Sequence, residues 1–193
     1  IITIPNTSSS KYKKTKKKKN IDFIFVGTLE KRKNPILLLN AFKLLNYEKK
    51  YKLVMIGDGP LKKECLNYIK NNSLKNVKIK SNFSRKKVME YISRSRVLVL
   101  TSKYETFGVV LIEALSYGIP VLTTNSGGVK DIINKKNGKI LESNNPKNLS
   151  KKMTRMIKNL SSYKSNKIIN DYKKKFSNDI ILNKITKVYN SIK

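Results

Sequence analysis

The chain alternates short β-branched and aliphatic runs with stretches whose apolar positions recur every three or four residues. Ile21-Asp-Phe-Ile-Phe-Val26 reads as a buried strand closed by Gly27. A helix is predicted over Pro35 to Leu45, with proline in its first turn and Ile36, Leu39, Phe42 and Leu45 on the inner face. The pattern then repeats. Residues 52–56 form a strand ended by Gly57-Asp-Gly-Pro60, a helix covers about 61–70, and 76–80 form a short strand. Ser84 is placed to cap a helix running to about Ile92. Arg96 to Leu100 is a strand, a helix spans Gly108 to Tyr117, and Pro120 to Thr123 is the next strand. Gly127-Gly128 opens a short helix ending near Ile133, and Gly138 to Leu141 is the sixth strand.

Alternation of this kind predicts an α/β fold: a doubly wound, Rossmann-like sheet of six parallel strands with helices on both faces. Its ligand belongs at the carboxyl ends of the strands. The loops that matter are then 27–34, 57–60, 82–86, 102–109 and 125–129. After Pro146 the pattern is wholly helical. Ile180, Ile181, Ile185, Val188 and Ile192 give a closing helix, over about 177–192, an apolar face that needs a surface to lie on.

Composition narrows this picture. A length of 193 residues with 39% hydrophobic content supports one domain with one core. No stretch approaches the ~18 apolar residues of a membrane-spanning helix, and Ile1 to Asn6 is too short and polar for a signal peptide. The lone cysteine, Cys65, excludes an internal disulfide and reads as a half-buried core thiol. A cytosolic location is expected, at most peripheral to the inner face of a membrane. Forty-three basic against 12 acidic residues give a net charge of +31. Such an excess attracts nucleic acid or anionic lipid, yet the lysines are spread among asparagines and isoleucines as an AT-rich coding sequence would place them. The densest run is Lys11 to Lys19, seven lysines in nine residues, a solvated segment able to touch anionic headgroups.

Several chemistries are excluded. The chain has no histidine and one cysteine, so a zinc site and the Ser-His-Asp or Cys-His triads have no ligands or bases. Gly57-Asp-Gly59 follows the second strand and has Lys62 where a third glycine would fall, so it is a tight turn rather than a dinucleotide loop. No phosphate-binding loop of the Gly-x4-Gly-Lys type and no Asp-x-Asp pair is present. A bound diphosphate would therefore rely on lysine, arginine and helix N-termini, with no metal and no cofactor expected. Lys33 in the first exit loop is suited to that task, with Lys31 and Arg32 beside it.

Glu105 and Glu113 have seven residues between them. The first follows an apolar strand; the second lies within a helix opening at Gly108. Such a pair can be a capping or solubility feature. It can also grip hydroxyls of one ligand while the free amides of the first helical turn hold an anion between them. Phe107-Gly108 and Gly127-Gly128 let a ligand approach the backbone.

These pieces, in this order, resemble the C-terminal, donor-binding domain of a GT-B glycosyltransferase of the family-4 retaining type. The likeness rests on Ile4-Pro5-Asn6, Phe25-Val-Gly-Thr-Leu29 with Lys33-Asn-Pro35, Ile56-Gly-Asp-Gly-Pro60, the paired-glutamate segment Tyr104 to Leu115, Gly118-Ile-Pro-Val121, Gly127-Gly128, and Phe176-Ser177 before a closing helix. The resemblance implies residues 1–20 as the remnant of an interdomain linker and 21–193 as a nucleotide-sugar domain. It implies that Glu113 bonds the ribose hydroxyls and Glu105 the transferred sugar. Phe107 lies beside the amides of Gly108, Val109 and Val110, which hold sugar or phosphate oxygens. Lys33, in the loop with Gly27 and Thr28, neutralises the departing diphosphate. Thr28 departs from the family pattern, where many relatives carry an arginine. The implied partners are a nucleotide-sugar donor, UDP-sugars being the default, and a glycan or lipid-linked acceptor bound through an N-terminal domain that this chain lacks. A nucleic-acid-binding module would use the basic charge but needs clustered stacking aromatics, and a nucleotide-sugar epimerase would call for acid–base residues that this histidine-free chain does not offer.

Overall fold

The computed structural model describes residues 18–45 and 51–191. The segment Ile4-Pro5-Asn6, most of the lysine run and Ile192 lie outside the described residues. Six strands form one sheet: β1 (Ile21–Val26), β2 (Leu53–Ile56), β3 (Val77–Lys80), β4 (Ser95–Leu100), β5 (Val121–Thr123) and β6 (Gly138–Ile140). All pairings are parallel, in the order β3-β2-β1-β4-β5-β6. The α/β doubly wound fold anticipated from the hydrophobic pattern is thus the observed one.

The register explains why these runs are strands. Phe23 of β1 sits between Leu53 and Val97, and Ile24 between Val54 and Leu98. In the central strands, at Phe23–Phe25, Leu53–Ile56 and Val97–Leu100, side chains on both faces are buried and the runs are continuously apolar, whereas the edge strand β3 alternates with Lys78 and Lys80 outward. Phe23 and Phe25 are fully buried, and Phe23 meets the rings of Phe42 and Tyr51 edge-on at 6.4 and 6.0 Å.

The helices are α1 (Pro35–Leu45), α2 (Lys62–Asn71), α3 (Arg85–Ser93), α4 (Val109–Ser116), α5 (Pro146–Lys158), α6 (Ser165–Phe176) and α7 (Asn178–Asn190). Helix α1 is buried on a wider arc than its sequence stripe implies. Leu37 and Leu38 are buried while Ile36 is only half-buried, because α5 packs on α1 and covers a second side. The short helix expected after Gly127-Gly128 is a single 3-10 turn, Gly128–Asp131. It stops because Asn137, itself buried, takes over the next polar groups: its amide donates to the Ile132 carbonyl and accepts from Asn134 N.

Cys65 is fully buried rather than half-buried, and burial pushes its thiol up to about 11. In α7 only Ile181 is buried, whereas Leu182, Ile185 and Tyr189 stand exposed. Among the described residues no helix is long and apolar enough to cross a membrane.

Candidate active site at the carboxyl edge of the sheet

In this strand order the chain winds one way from β1 to β3 and the other way from β4 to β6, so the crevice lies between the carboxyl ends of β1 and β4. The loop after β1 carries Lys33; the loop after β4 carries Glu105. The Lys33 ammonium donates to Glu105 Oε2 at 2.5 Å, and Ser102 Oγ donates to the same oxygen at 3.1 Å. Both ionic side chains are largely shielded, with 13% and 9% of their surface exposed.

The loops themselves are tied together. Thr101, fully buried at the end of β4, donates its hydroxyl to the carbonyls of Lys33 and Asn34 at 2.9 and 3.0 Å. Lys103 N donates to the Arg32 carbonyl, and Thr124 Oγ1 to the Ser102 carbonyl at 2.5 Å. Glu105 also forms a bridge with the loop after β5. Its amide donates to Ser126 O and its carbonyl accepts from Gly128 N. A β-carbon at Gly128 would fall 2.1 Å from the Thr106 carbonyl, so only glycine permits this approach.

Gly108 precedes α4 with φ of 83°, the left-handed region that glycine occupies without strain. Its turn opens α4, whose first-turn amides of Val109 and Val110 have no intrahelical acceptor. Val109 is exposed and Val110 half-buried. The Phe107 ring packs edge-on against Phe176 of α6 at 6.2 Å, which fixes the turn from behind.

Glu113 lies one turn further into α4 and is only 6% exposed. Its carboxylate accepts from the guanidinium of Arg85, the first residue of α3. Burial pushes the Glu113 carboxyl above the usual carboxylate range, and the Arg85 charge and hydrogen bond oppose that shift. Arg85 itself is half-exposed, so one end of the pair is dry and the other wet.

The structure therefore brings Lys33 and Glu105 together and sets Glu113 in the same helix-opening region. Gly27 and Thr28 lie in the same loop as Lys33, but the Thr28 hydroxyl donates to Glu30 at 2.9 Å, as does Arg32. Hydrogen bonds from Thr28 and Arg32 hold the Glu30 carboxyl below its ordinary range. Gly57 serves the backbone: a β-carbon there would fall 1.9 Å from the Gly27 carbonyl. Sequence reasoning missed Arg85 and the hydroxyls of Thr101, Ser102 and Thr124. A buried Thr-Ser pair directly after an apolar strand was the available signal for two of them. Nothing in the spacing pointed from Arg85 to Glu113, 28 residues apart. Among the described residues no group of three or more His, Cys, Asp or Glu side chains comes together.

A six-stranded parallel sheet in this order, with helices on both faces and a glutamate-bearing crevice at its switch point, is the fold of the C-terminal domain of GT-B glycosyltransferases. The chain belongs to the family described as Glycosyl transferases group 1, whose sequence model matches residues 7–176. It is similar to an uncharacterised glycosyltransferase of Methanocaldococcus jannaschii, at 30% identity over 88% of this chain and 48% of the relative. Among solved structures it superposes on a S. aureus TarM variant in complex with fondaparinux, alpha-GlcNAc-glycerol and UDP, with a TM-score of 0.84 and 23% identity over 98% of this chain and 39% of the other. It likewise matches the pneumococcal O-GlcNAc transferase GtfA in complex with UDP and GlcNAc, with a TM-score of 0.82 and 18% identity over 99% of this chain and 40% of that one. The chain thus spans about half the length of that relative and less of the two structures.

Proposed function

We propose that this chain binds the nucleotide-sugar donor, by default a UDP-sugar, for a retaining glycosyltransferase acting on a glycan or lipid-linked acceptor at the cytoplasmic side of a membrane. The observation that carries the reading is the pairing of two shielded carboxylates, each with its own cation, around the opening of α4 at the switch point. The UDP complexes of TarM and GtfA support the choice of donor.

In this reading Glu113 accepts from the ribose hydroxyls and the amides of Gly108, Val109 and Val110 receive sugar or phosphate oxygens. Lys33 releases Glu105 and turns to the diphosphate. As the bond from the anomeric carbon to the diphosphate oxygen breaks, negative charge grows on that oxygen and positive charge on the sugar. Lys33 stabilises the former; the freed Glu105 carboxylate orients the sugar hydroxyls and faces the oxocarbenium-like centre. The acceptor hydroxyl then attacks from the face that the diphosphate leaves, passing its proton to the departing diphosphate oxygen, with retention and without a metal. The amide-lined turn and the lysine supply the neutralisation that a divalent ion would otherwise give.

Calorimetric titration of UDP-, GDP- and ADP-sugars tests this. A saturable UDP-sugar isotherm that Glu113→Ala weakens upholds the reading. Equal, unsaturable heats with all three donors would refute it.

A further inference from the structure

The donor crevice uses the carboxyl edge of the sheet; a second cavity, of about 410 Å³, lies on the far flank between β6 and the second half of α5. Its polar lining comes from Lys135 and Lys139 on the β6 side, Lys152 and Arg155 of α5, and Asn159, Ser162 and Tyr163 beyond α5. Each of these polar side chains donates hydrogen bonds and no carboxylate lines the cavity. Glu142 holds Lys152 at 3.1 Å from outside, where that carboxylate is 84% exposed. Lys135, Lys139 and Arg155 have no acidic partner among the described residues.

A basic flank alone says little in a chain of net charge +31. Tyr163 makes this one different. Its ring is nine-tenths buried, and its hydroxyl, with no protein partner among the described residues, stays open to solvent at the cavity it lines. The phenol thus combines a fixed, packed ring with a hydroxyl free to donate into the cavity. Four cations lining a pocket of small-ligand size, together with an available hydroxyl donor, match a multiply charged oxyanion.

We propose that this cleft is a binding site for a phosphate-bearing ligand, separate from the donor crevice. The shared chemistry is a phosphate group carrying about two negative charges, whether in a soluble diphosphate or in a lipid headgroup. Lys139 and Arg155 hold its oxygens from the β6 and α5 sides, Lys135 and Lys152 add charge, and the Tyr163 hydroxyl donates as well.

The test is a site-resolved amide NMR titration with inorganic pyrophosphate at physiological salt. It reads the cleft and the donor crevice separately, so its outcome is independent of the donor assignment. The expected result is saturable shifts at Lys139 and across 155–163. Lys139→Ala with Arg155→Ala weakens them at least about tenfold, two charge-assisted contacts being lost. Tyr163→Phe weakens them by a smaller factor. The control pair Lys63→Ala with Lys70→Ala, exposed on α2, removes the same net charge and leaves them unchanged. Vesicles of zwitterionic phospholipid with and without phosphatidic acid then separate the sources. Retention that needs phosphatidic acid and the intact cleft names a headgroup; equal retention of the wild type and the cleft pair names the soluble ligand. Shifts that do not saturate, or a control pair that loses as much as the cleft pair, would overturn the proposal.

Discussion

Lys33 Nζ donates to Glu105 Oε2 at 2.5 Å, joining the exit loops of β1 and β4 across the point where the sheet reverses its winding. With so little of either side chain exposed, removing one partner strands a shielded charge. Lys33→Met is expected to lower stability by ~3 kcal/mol, and Glu105→Gln by a comparable amount. Adding Glu105→Gln to Lys33→Met recovers part of the loss, because no charge is then left unpaired. Urea denaturation of the four proteins measures the coupling; strictly additive losses would show that the two groups do not depend on each other.

Glu113 and Arg85 give the protein a pH signature. Burial raises the folded carboxyl above its ordinary value of 4.5. The folded state therefore holds its proton more tightly than the unfolded chain does. From this group, stability is greatest below the unfolded value and declines as pH rises through the folded one. Arg85→Ala removes the opposing charge, raises the carboxyl further and steepens that decline. Glu113→Gln abolishes the contribution. Because the guanidinium is half-exposed, the expected cost of Arg85→Ala at neutral pH is modest, about 1–2 kcal/mol. Denaturation midpoints followed from about pH 4 to 8 check the order Glu113→Gln, wild type, Arg85→Ala in steepness.

Gly108 is a conformational requirement. At φ of 83° a β-carbon would stand 2.9 Å from Leu111 Cδ1 and 3.3 Å from Glu105 Cγ. Gly108→Ala should cost about 1–2 kcal/mol for the left-handed backbone, plus the displacement of Glu105. Lowered stability together with weakened donor binding is the expected pair of results; unchanged values in both would show that the turn tolerates a side chain.

Cys65 offers a probe of folding rather than of activity. With its thiol fully buried and pushed up to about 11, alkylation by iodoacetamide at mildly alkaline pH should be negligible in the native protein and complete in denaturant. Ready labelling of the native state would mean that α2 opens locally.

Much of the architecture was legible because parallel strands buried on both faces leave unbroken apolar runs such as Phe23 to Val26 and Val97 to Leu100. Glycine marked the turns for a physical reason visible at Gly108 and Gly128. The burial of Leu37 and Leu38 was not legible, since it depends on α5 arriving from more than a hundred residues away. The same holds for the site. Its acids stood out in a chain of few acids, but their cations did not stand out among 43. That Lys33 serves Glu105, and Arg85 serves Glu113, follows from strand order and loop closure, which no local spacing encodes.

The most direct test of the central claim is an amide NMR titration of the intact chain with a UDP-sugar. The account predicts saturable shifts at Lys33, Glu105, Gly108, Val109 and Glu113, with Glu113→Ala weakening affinity by about 1–3 kcal/mol. Saturable shifts confined to other loops, or an affinity untouched by Glu113→Ala, would contradict it.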